Sequence, residues 1–273
     1  MPKMVINSPP TPVEDTSLIP AQRHERILQH LTVHKIASIA GLAKLLNVSK
    51  STVRRDLEWL ETQGYLEPTR GGAILSRHIL SEIEYLQREQ SHIEEKRAIG
   101  AATAALIEDG DVIFINSGTT TAQILKQIKG KPNVVAITNN TAMMAESEEI
   151  DYDLVLLGGS YLPRSHAVVG LFTTDNVRQV YASKTIIGVD GISLKYGCTV
   201  PTRVEADVIR QMIERTSGPV IIVTDCSKWG AVSNFEIVRI DQIQTLVTDE
   251  GFDIQARVAL AARSVEIIIA KTP

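Results

Sequence analysis

The chain has 273 residues, a formal net charge of -4, 44% apolar and 22% charged residues, and two cysteines, Cys198 and Cys226. These values exclude a disordered chain, a fibrous repeat and a disulfide scaffold, and the length suits one large domain or two unequal ones. Taken as one body, the acidic balance argues against a nucleic-acid binder.

Residues 1–20 hold Pro2, Pro9, Pro10, Pro12 and Pro20 and read as a disordered arm with no apolar core to a signal peptide. From Gln22 the pattern turns helical. Ile27, Leu28 and Leu31 predict a helix over Arg23–Val33, and Leu42, Leu45 and Leu46 a second over Ile39–Leu46. Asn47-Val48-Ser49 is a turn ending in an N-cap serine. A third helix is predicted over Lys50–Thr62, with Val53, Leu57 and Leu60 on one stripe. Two short strands follow around Gly71-Gly72.

Residues 77–109 read as mainly helical and charged. Beyond Asp111, β-rich runs alternate with helical segments. The runs are Val112–Ile115, Val134–Thr138, Leu154–Leu157, Thr185–Val189, Val220–Thr224, Thr245–Thr248 and Val265–Ala270. Helices are predicted over Thr120–Ile128, Thr141–Ser147, Val204–Thr216 and Ile254–Arg263. Such alternation predicts an α/β domain with a parallel-rich sheet flanked by helices. The domain layout is then an arm (1–20), a small helical module (21–77), a helical connector (78–93) and a large α/β domain (94–273).

Division of the charge reverses the first inference. Through Arg77 there are ten Lys/Arg against seven Asp/Glu, a net of +3; the remainder has 18 against 25, a net of -7. A basic module can hold phosphates whatever the global sum. Its second and third helices have helix-turn-helix spacing, and the Gly64–Leu75 hairpin makes a wing. With Val53, Leu57 and Leu60 turned inward, Ser51 and Arg55 point outward, flanked by Lys50 and Arg54. Arginine can grip a guanine edge with two hydrogen bonds, whereas Lys44 and Lys50 suit phosphate. Ser49 and Thr52 serve as cap and phosphate donor, and Arg70 sits at the wing tip. Asp56 is available to neutralise one arginine. The bland alternative is a solvated helix with surface arginines.

The strand Val112–Ile115 runs into Asn116-Ser117-Gly118-Thr119-Thr120-Thr121 and then a helix. A small, hydroxyl-rich loop at a helix start presents backbone N–H groups to an anion; the bland reading is a plain cap. It is neither a Walker A loop nor GxGxxG, so no nucleotide cofactor is expected. Other strand ends carry Thr138-Asn139-Asn140, Gly158-Gly159-Ser160, Asp190-Gly191 and Asp225-Cys226-Ser227-Lys228. If the strands are parallel, these ends converge on one site. Lys228 would supply a cation, and Asp190 and Glu205 would accept hydroxyls. The six histidines show no metal spacing, and a reducing cytoplasm is expected.

Arg23, Ile27, Leu31, Ser49, the run Thr52-Val53-Arg54-Arg55-Asp56-Leu57 and Gly71-Gly72-Ala73 resemble the N-terminal signature of the DeoR family of bacterial regulators. The stretches EEKRAIG (94–100), SGTTT (117–121), TNN (138–140), LLGG (156–159), GVDGIS (188–193), Glu205-Ala206 and 225–228 are similar to its sensor domain, so the match runs from about Gln22 to Gly251. The resemblance implies a winged helix-turn-helix joined to a sensor like ribose-5-phosphate isomerase that binds phosphorylated sugars. Ser117, Gly118, Thr119, Thr120 and Thr121, with Lys228, would hold phosphate. Asn139, Gly159, Asp190 and Glu205 would line the sugar end. Asn116, Ser183, Cys198 and Trp229 depart from the usual family residues.

The expected function is a repressor of a sugar catabolic operon that binds double-stranded operator DNA as a dimer or tetramer, with affinity set by a phosphorylated sugar. A sugar-phosphate isomerase and an activator without a small ligand are the alternatives.

Overall fold

The structure, a computed structural model, describes residues 18–144 and 150–272, and the chain divides into two compact units after Leu80. Most of the proline-rich arm lies outside the described residues. Pro20 itself opens the first helix, where its missing N–H costs nothing.

The first unit comprises α1 (Pro20–His34), β1 (Ile36–Ser38), α2 (Ile39–Leu46), α3 (Lys50–Thr62), β2 (Leu66–Thr69) and β3 (Gly72–Leu75). The bounds of α2 and α3 are those the apolar stripe predicts. Asn47 ends α2 in a left-handed conformation, φ 54°, which asparagine tolerates. Ile27, Leu31, Leu42, Val53, Leu60 and Leu75 are buried together. The two predicted strands are joined by a third, β1, giving the antiparallel order β1-β3-β2. Three residues, Ile36-Ala37-Ser38, are too short a run to show periodicity. Glycine at 72 makes the pairing possible, because a Cβ there would lie 2.0 Å from the Ala37 carbonyl oxygen.

The stretch 77–109, read as mainly helical, forms two helices, α4 (Arg77–Gln90), which occupies most of the expected connector, and α5 (Ile93–Ala104). The second unit continues with β4 (Val112–Ile115), α6 (Thr119–Leu125), β5 (Val135–Thr138), β6 (Asp153–Leu156), β7 (Ser160–Leu162), β8 (Ala167–Val169), α7 (Leu171–Arg178), β9 (Lys184–Gly188), β10 (Gly191–Ser193), β11 (Gly197–Val200), α8 (Arg203–Glu214), β12 (Val220–Val223), β13 (Phe235–Val238), β14 (Thr245–Asp249), α9 (Ile254–Ala261) and β15 (Glu266–Ala270). Seven strands form one parallel sheet in the order β15-β14-β12-β9-β4-β5-β6. Side chains alternate between its faces. Ile113 and Ile115 join a core with α5 and α6, while Phe114 joins one with α7, α8 and α9.

The long apolar runs are the seven sheet strands, each within two residues of its predicted bounds. The hairpin β7-β8, the small antiparallel sheet β10-β11-β13 and helix α7 were not expected. Their strands are three or four residues long, too short to show a period, and β10 and β11 each open with glycine. The helix predicted over Thr141–Ser147 is a 3-10 turn at 141–144, and its remainder lies outside the described residues.

Candidate functional sites

In the first unit the site is the outer face of α3. Ser49 has extended backbone, and its Oγ accepts the Thr52 N–H at 3.1 Å, capping the helix. The same Oγ lies 2.7 Å from Ser51 Oγ and 2.9 Å from Thr52 Oγ1. Lys50, Ser51, Arg54 and Arg55 are exposed, as are Lys44 on α2 and Arg70 between β2 and β3. Among the described residues none of the five basic side chains has a hydrogen bond or ion pair. Asp56 does neutralise an arginine, but the arginine is Arg23 of α1. Its carboxylate is buried, accepts from Arg23 Nε at 2.7 Å and Nη2 at 2.8 Å, and lies 3.1 Å from His24 Nε2. His24 stacks on Trp59 with centroids 4.4 Å apart. Arg54 and Arg55 are thus exposed and without a carboxylate partner among the described residues.

In the second unit a cavity of about 110 Å3 opens where β12, β9, β4 and β5, neighbours in the sheet, all end. That is well below the about 300–1,000 Å3 of sites that engulf drug-sized ligands, and it suits a small metabolite. Ser117, Gly118, Thr119 and Thr120 line one side. The Ser117 N–H is taken by Asn139 Oδ1 at 2.8 Å. The Gly118 carbonyl accepts from Ala122 N, Thr121 Oγ1 and Asn140 Nδ2. The N–H groups of Gly118, Thr119 and Thr120 have no acceptor among the described residues. Three such donors in a row beside a cavity have the arrangement of backbone N–H groups that can receive an anion.

Asn139, Asp190, Glu205 and Lys228 also line the cavity. Two predicted residues do not. Thr121 is fully buried, and its hydroxyl closes the turn onto Gly118 at 3.0 Å. Gly159 follows β6, whose end stays outside the cavity lining. It is packed so tightly that a Cβ would meet Thr173 Oγ1 at 2.0 Å and the Val169 carbonyl oxygen at 2.7 Å. A glycine in such a stretch signals close backbone approach as well as it signals a ligand. Of the four departures from the family pattern, Asn116 alone lines the cavity. Its Oδ1 accepts from Gly188 N at 2.8 Å and its Nδ2 donates to the Gly188 carbonyl at 3.0 Å, tying the ends of β4 and β9. Ser183 bonds Asp111 at the opposite end of those strands, Cys198 is core, and Trp229 packs edge-on against Phe252.

Asp225, from a strand end expected to converge here, lines the cavity, and Lys96, Arg88, Tyr85 and Ser165 line it beyond the expected residues. Lys96 was legible. It shares a helical stripe with Ile99, Gly100, Thr103 and Ala104, all buried, and a lysine on such a stripe needs a reason. Burial pushes its ammonium down to about 8, with Lys228 and Arg88 adding to the shift and Asp225 opposing it. The Asp190 carboxyl is pushed up by desolvation and by Glu205, against Arg88, Lys228 and Arg164. Three cations (Arg88, Lys96, Lys228) and three carboxylates (Asp190, Glu205, Asp225) thus face one small volume. Among the described residues no group of His, Cys, Asp and Glu could hold a metal ion, and no helix is long and apolar enough to cross a membrane.

Residues 23–78 match the DeoR-like helix-turn-helix domain and residues 91–250 the DeoR C terminal sensor domain. The HTH-type transcriptional regulator GlpR of Haloferax volcanii is 28% identical over 92% of this chain and 98% of its own. The HTH-type transcriptional repressor GlcR of Bacillus subtilis is 31% identical over 84% and 88%. The putative aga operon transcriptional repressor of Escherichia coli O157:H7 is 28% identical over 91% and 93%. Ribose 5-phosphate isomerase A from Methanocaldococcus jannaschii aligns over 51% of this chain and 55% of its own, with 14% identity and a TM-score of 0.38. With both family domains present in order, the chain belongs to the DeoR family of helix-turn-helix transcriptional regulators.

Proposed function

We propose that the protein represses a sugar or carbohydrate catabolic operon in the cytoplasm and that a phosphorylated sugar in the second unit's cavity sets its operator affinity. The observation that carries this reading is the row of unpaired N–H groups at Gly118, Thr119 and Thr120 facing a cavity that also holds Lys228 and Lys96. Donors and cations of this kind fit a phosphate. Asp190 and Glu205 then accept sugar hydroxyls, and Asn139 positions the loop through Ser117. On DNA, Arg54 and Arg55 read base edges, Ser51 and Thr52 add polar contacts, and Lys44, Lys50 and Arg70 meet phosphates. One winged helix has a small footprint, so a homodimer or tetramer reading paired half-sites is expected. The relatives named as repressors favour repression over activation. An isomerase has no use for the first unit, and the carboxylates in the cavity are read as binding groups.

The test is a thermal-shift panel of pentose and hexose monophosphates, followed by gel shifts on the protein's own promoter region. A phosphorylated sugar should raise the melting temperature and alter DNA retention, and the Arg54→Ala, Arg55→Ala double variant should lose selective binding. A panel in which no phosphorylated sugar stabilises the protein rejects the effector assignment.

A further inference from the structure

Glu82, Tyr85 and Arg88 recur every third residue and so share one face of α4. Each engages the turn at 163–166. Glu82 Oε2 lies 2.8 Å from His166 Nε2. The Tyr85 ring stacks on the His166 imidazole, with centroids 3.8 Å apart and planes 15° from parallel. Arg88 donates to the Arg164 carbonyl. The turn in turn holds the cavity wall, because Ser165 Oγ donates to Glu205 Oε1. From the other side Lys96 Nζ donates to the Arg88 carbonyl and, at 2.7 Å, to the Ser91 carbonyl, capping the end of α4.

The groups that fasten α4 are therefore groups that a ligand addresses. Tyr85, Arg88, Lys96, Ser165 and Glu205 line the cavity, whereas Glu82 and His166 stand outside its lining. An anion offers Lys96 and Arg88 an acceptor of opposite charge in place of backbone carbonyls, adding Coulomb attraction between two full charges to the hydrogen bond. Occupancy then loosens the cap at the end of α4 and leaves the Glu82–His166 contact to set its position. Helix α4 starts at Arg77, directly after β3 and Ser76.

We propose that the Glu82–His166 pair, with Tyr85 stacked on it, is the element that converts anion occupancy of the cavity into a changed state of α4. Both are positioning residues that do not touch the ligand. The inference rests on the cavity being the effector site. A ligand shifts DNA affinity only through contacts that differ between two states, and this pair can differ without altering the binding groups.

The test uses the full chain with Glu82→Gln, His166→Asn and the double variant. His166 has φ 46° and ψ 47°, and asparagine tolerates that left-handed backbone while removing the ring. The probe is whichever pentose or hexose monophosphate gives the largest thermal shift with the wild type. Its affinity by calorimetry and the DNA affinity without it should stay within about threefold of wild type, while the ligand-induced change in DNA affinity falls at least tenfold. Amide exchange over residues 81–92 should lose its response to the probe. A full ligand response in all variants overturns the inference while leaving the effector site standing. A tenfold loss of probe affinity also overturns it, by making the pair part of the binding site. A wild type that no monophosphate stabilises removes the effector reading and this inference together.

Discussion

The Arg23–Asp56 pair is the sharpest point at which the DNA-binding unit can be broken. Its side chains are 13% and 6% exposed and meet through two charge-assisted bonds of 2.7 and 2.8 Å between α1 and α3. Desolvation opposes the Arg23 charge, but the Asp56 bond outweighs it and raises the guanidinium further above its ordinary value. Arg23→Met keeps most of the stem and leaves a buried carboxylate with His24 alone, 3.1 Å away. Breaking one side of a buried pair costs about 3–5 kcal/mol; partial exposure and His24 bring the expectation to about 3 kcal/mol. A unit this small has about 5–10 kcal/mol in total, and each kcal/mol is worth about 4–8 °C, so its melting temperature should fall by about 12–24 °C. The double variant Arg23→Met, Asp56→Leu should recover most of the loss, since an apolar pair of similar volume needs no desolvation. Chemical denaturation of the full chain in a Trp229→Phe background, where Trp59 is the remaining tryptophan, reads both by fluorescence. A single variant within 1 kcal/mol of wild type, or a double variant no better than the single, refutes the reasoning.

Ser49→Ala removes the acceptor for the Thr52 N–H and should destabilise the first unit by about 1 kcal/mol while weakening DNA retention, read by melting and gel shift. Gly159→Ala forces a Cβ to within 2.7 Å of the Val169 carbonyl oxygen, and overpacking of this kind costs about 1–3 kcal/mol; a loss under about 0.5 kcal/mol in urea denaturation would contradict the packing role. Lys96 titrates at about 8 in the folded chain and at about 10.4 unfolded. Between those values the unfolded chain holds the proton that the folded lysine has lost, so stability rises with pH. Wild type should therefore gain on Lys96→Met between pH 8 and 10 in urea denaturation, and a constant gap would show that Lys96 keeps its charge. Over the same range anion affinity should fall in wild type and stay flat in Lys96→Met, as calorimetry at pH 7.5 and 9.5 would show.

Much of the molecule was legible before any coordinate was known, because its determinants are local. Leucine and valine stripes fixed the bounds of α2 and α3, and continuous apolar runs marked the seven sheet strands, including the more exposed edge strands β6 and β15. The loop Ser117-Gly118-Thr119-Thr120 stood out because its run of small and hydroxyl residues exceeds what a cap needs, and all four residues line the cavity. The charge split at Arg77 separated a basic reader from an acidic sensor. Other features depended on residues far apart in the chain. Asp56 had two adjacent arginines, yet its partner is Arg23, because the packing of α1 against α3 turns that side of the helix inward. Gly159 resembled a ligand position, and only its approach to Thr173 and Val169 showed that space, not chemistry, demands glycine. The cavity's cation Arg88 comes from a helix that carries no motif of its own for a ligand. Periodicity tells which face of an element is buried. Which elements then meet is decided by tertiary packing, and with it which charges end up paired, which face the cavity, and how the turn at 163–166 comes to hold α4.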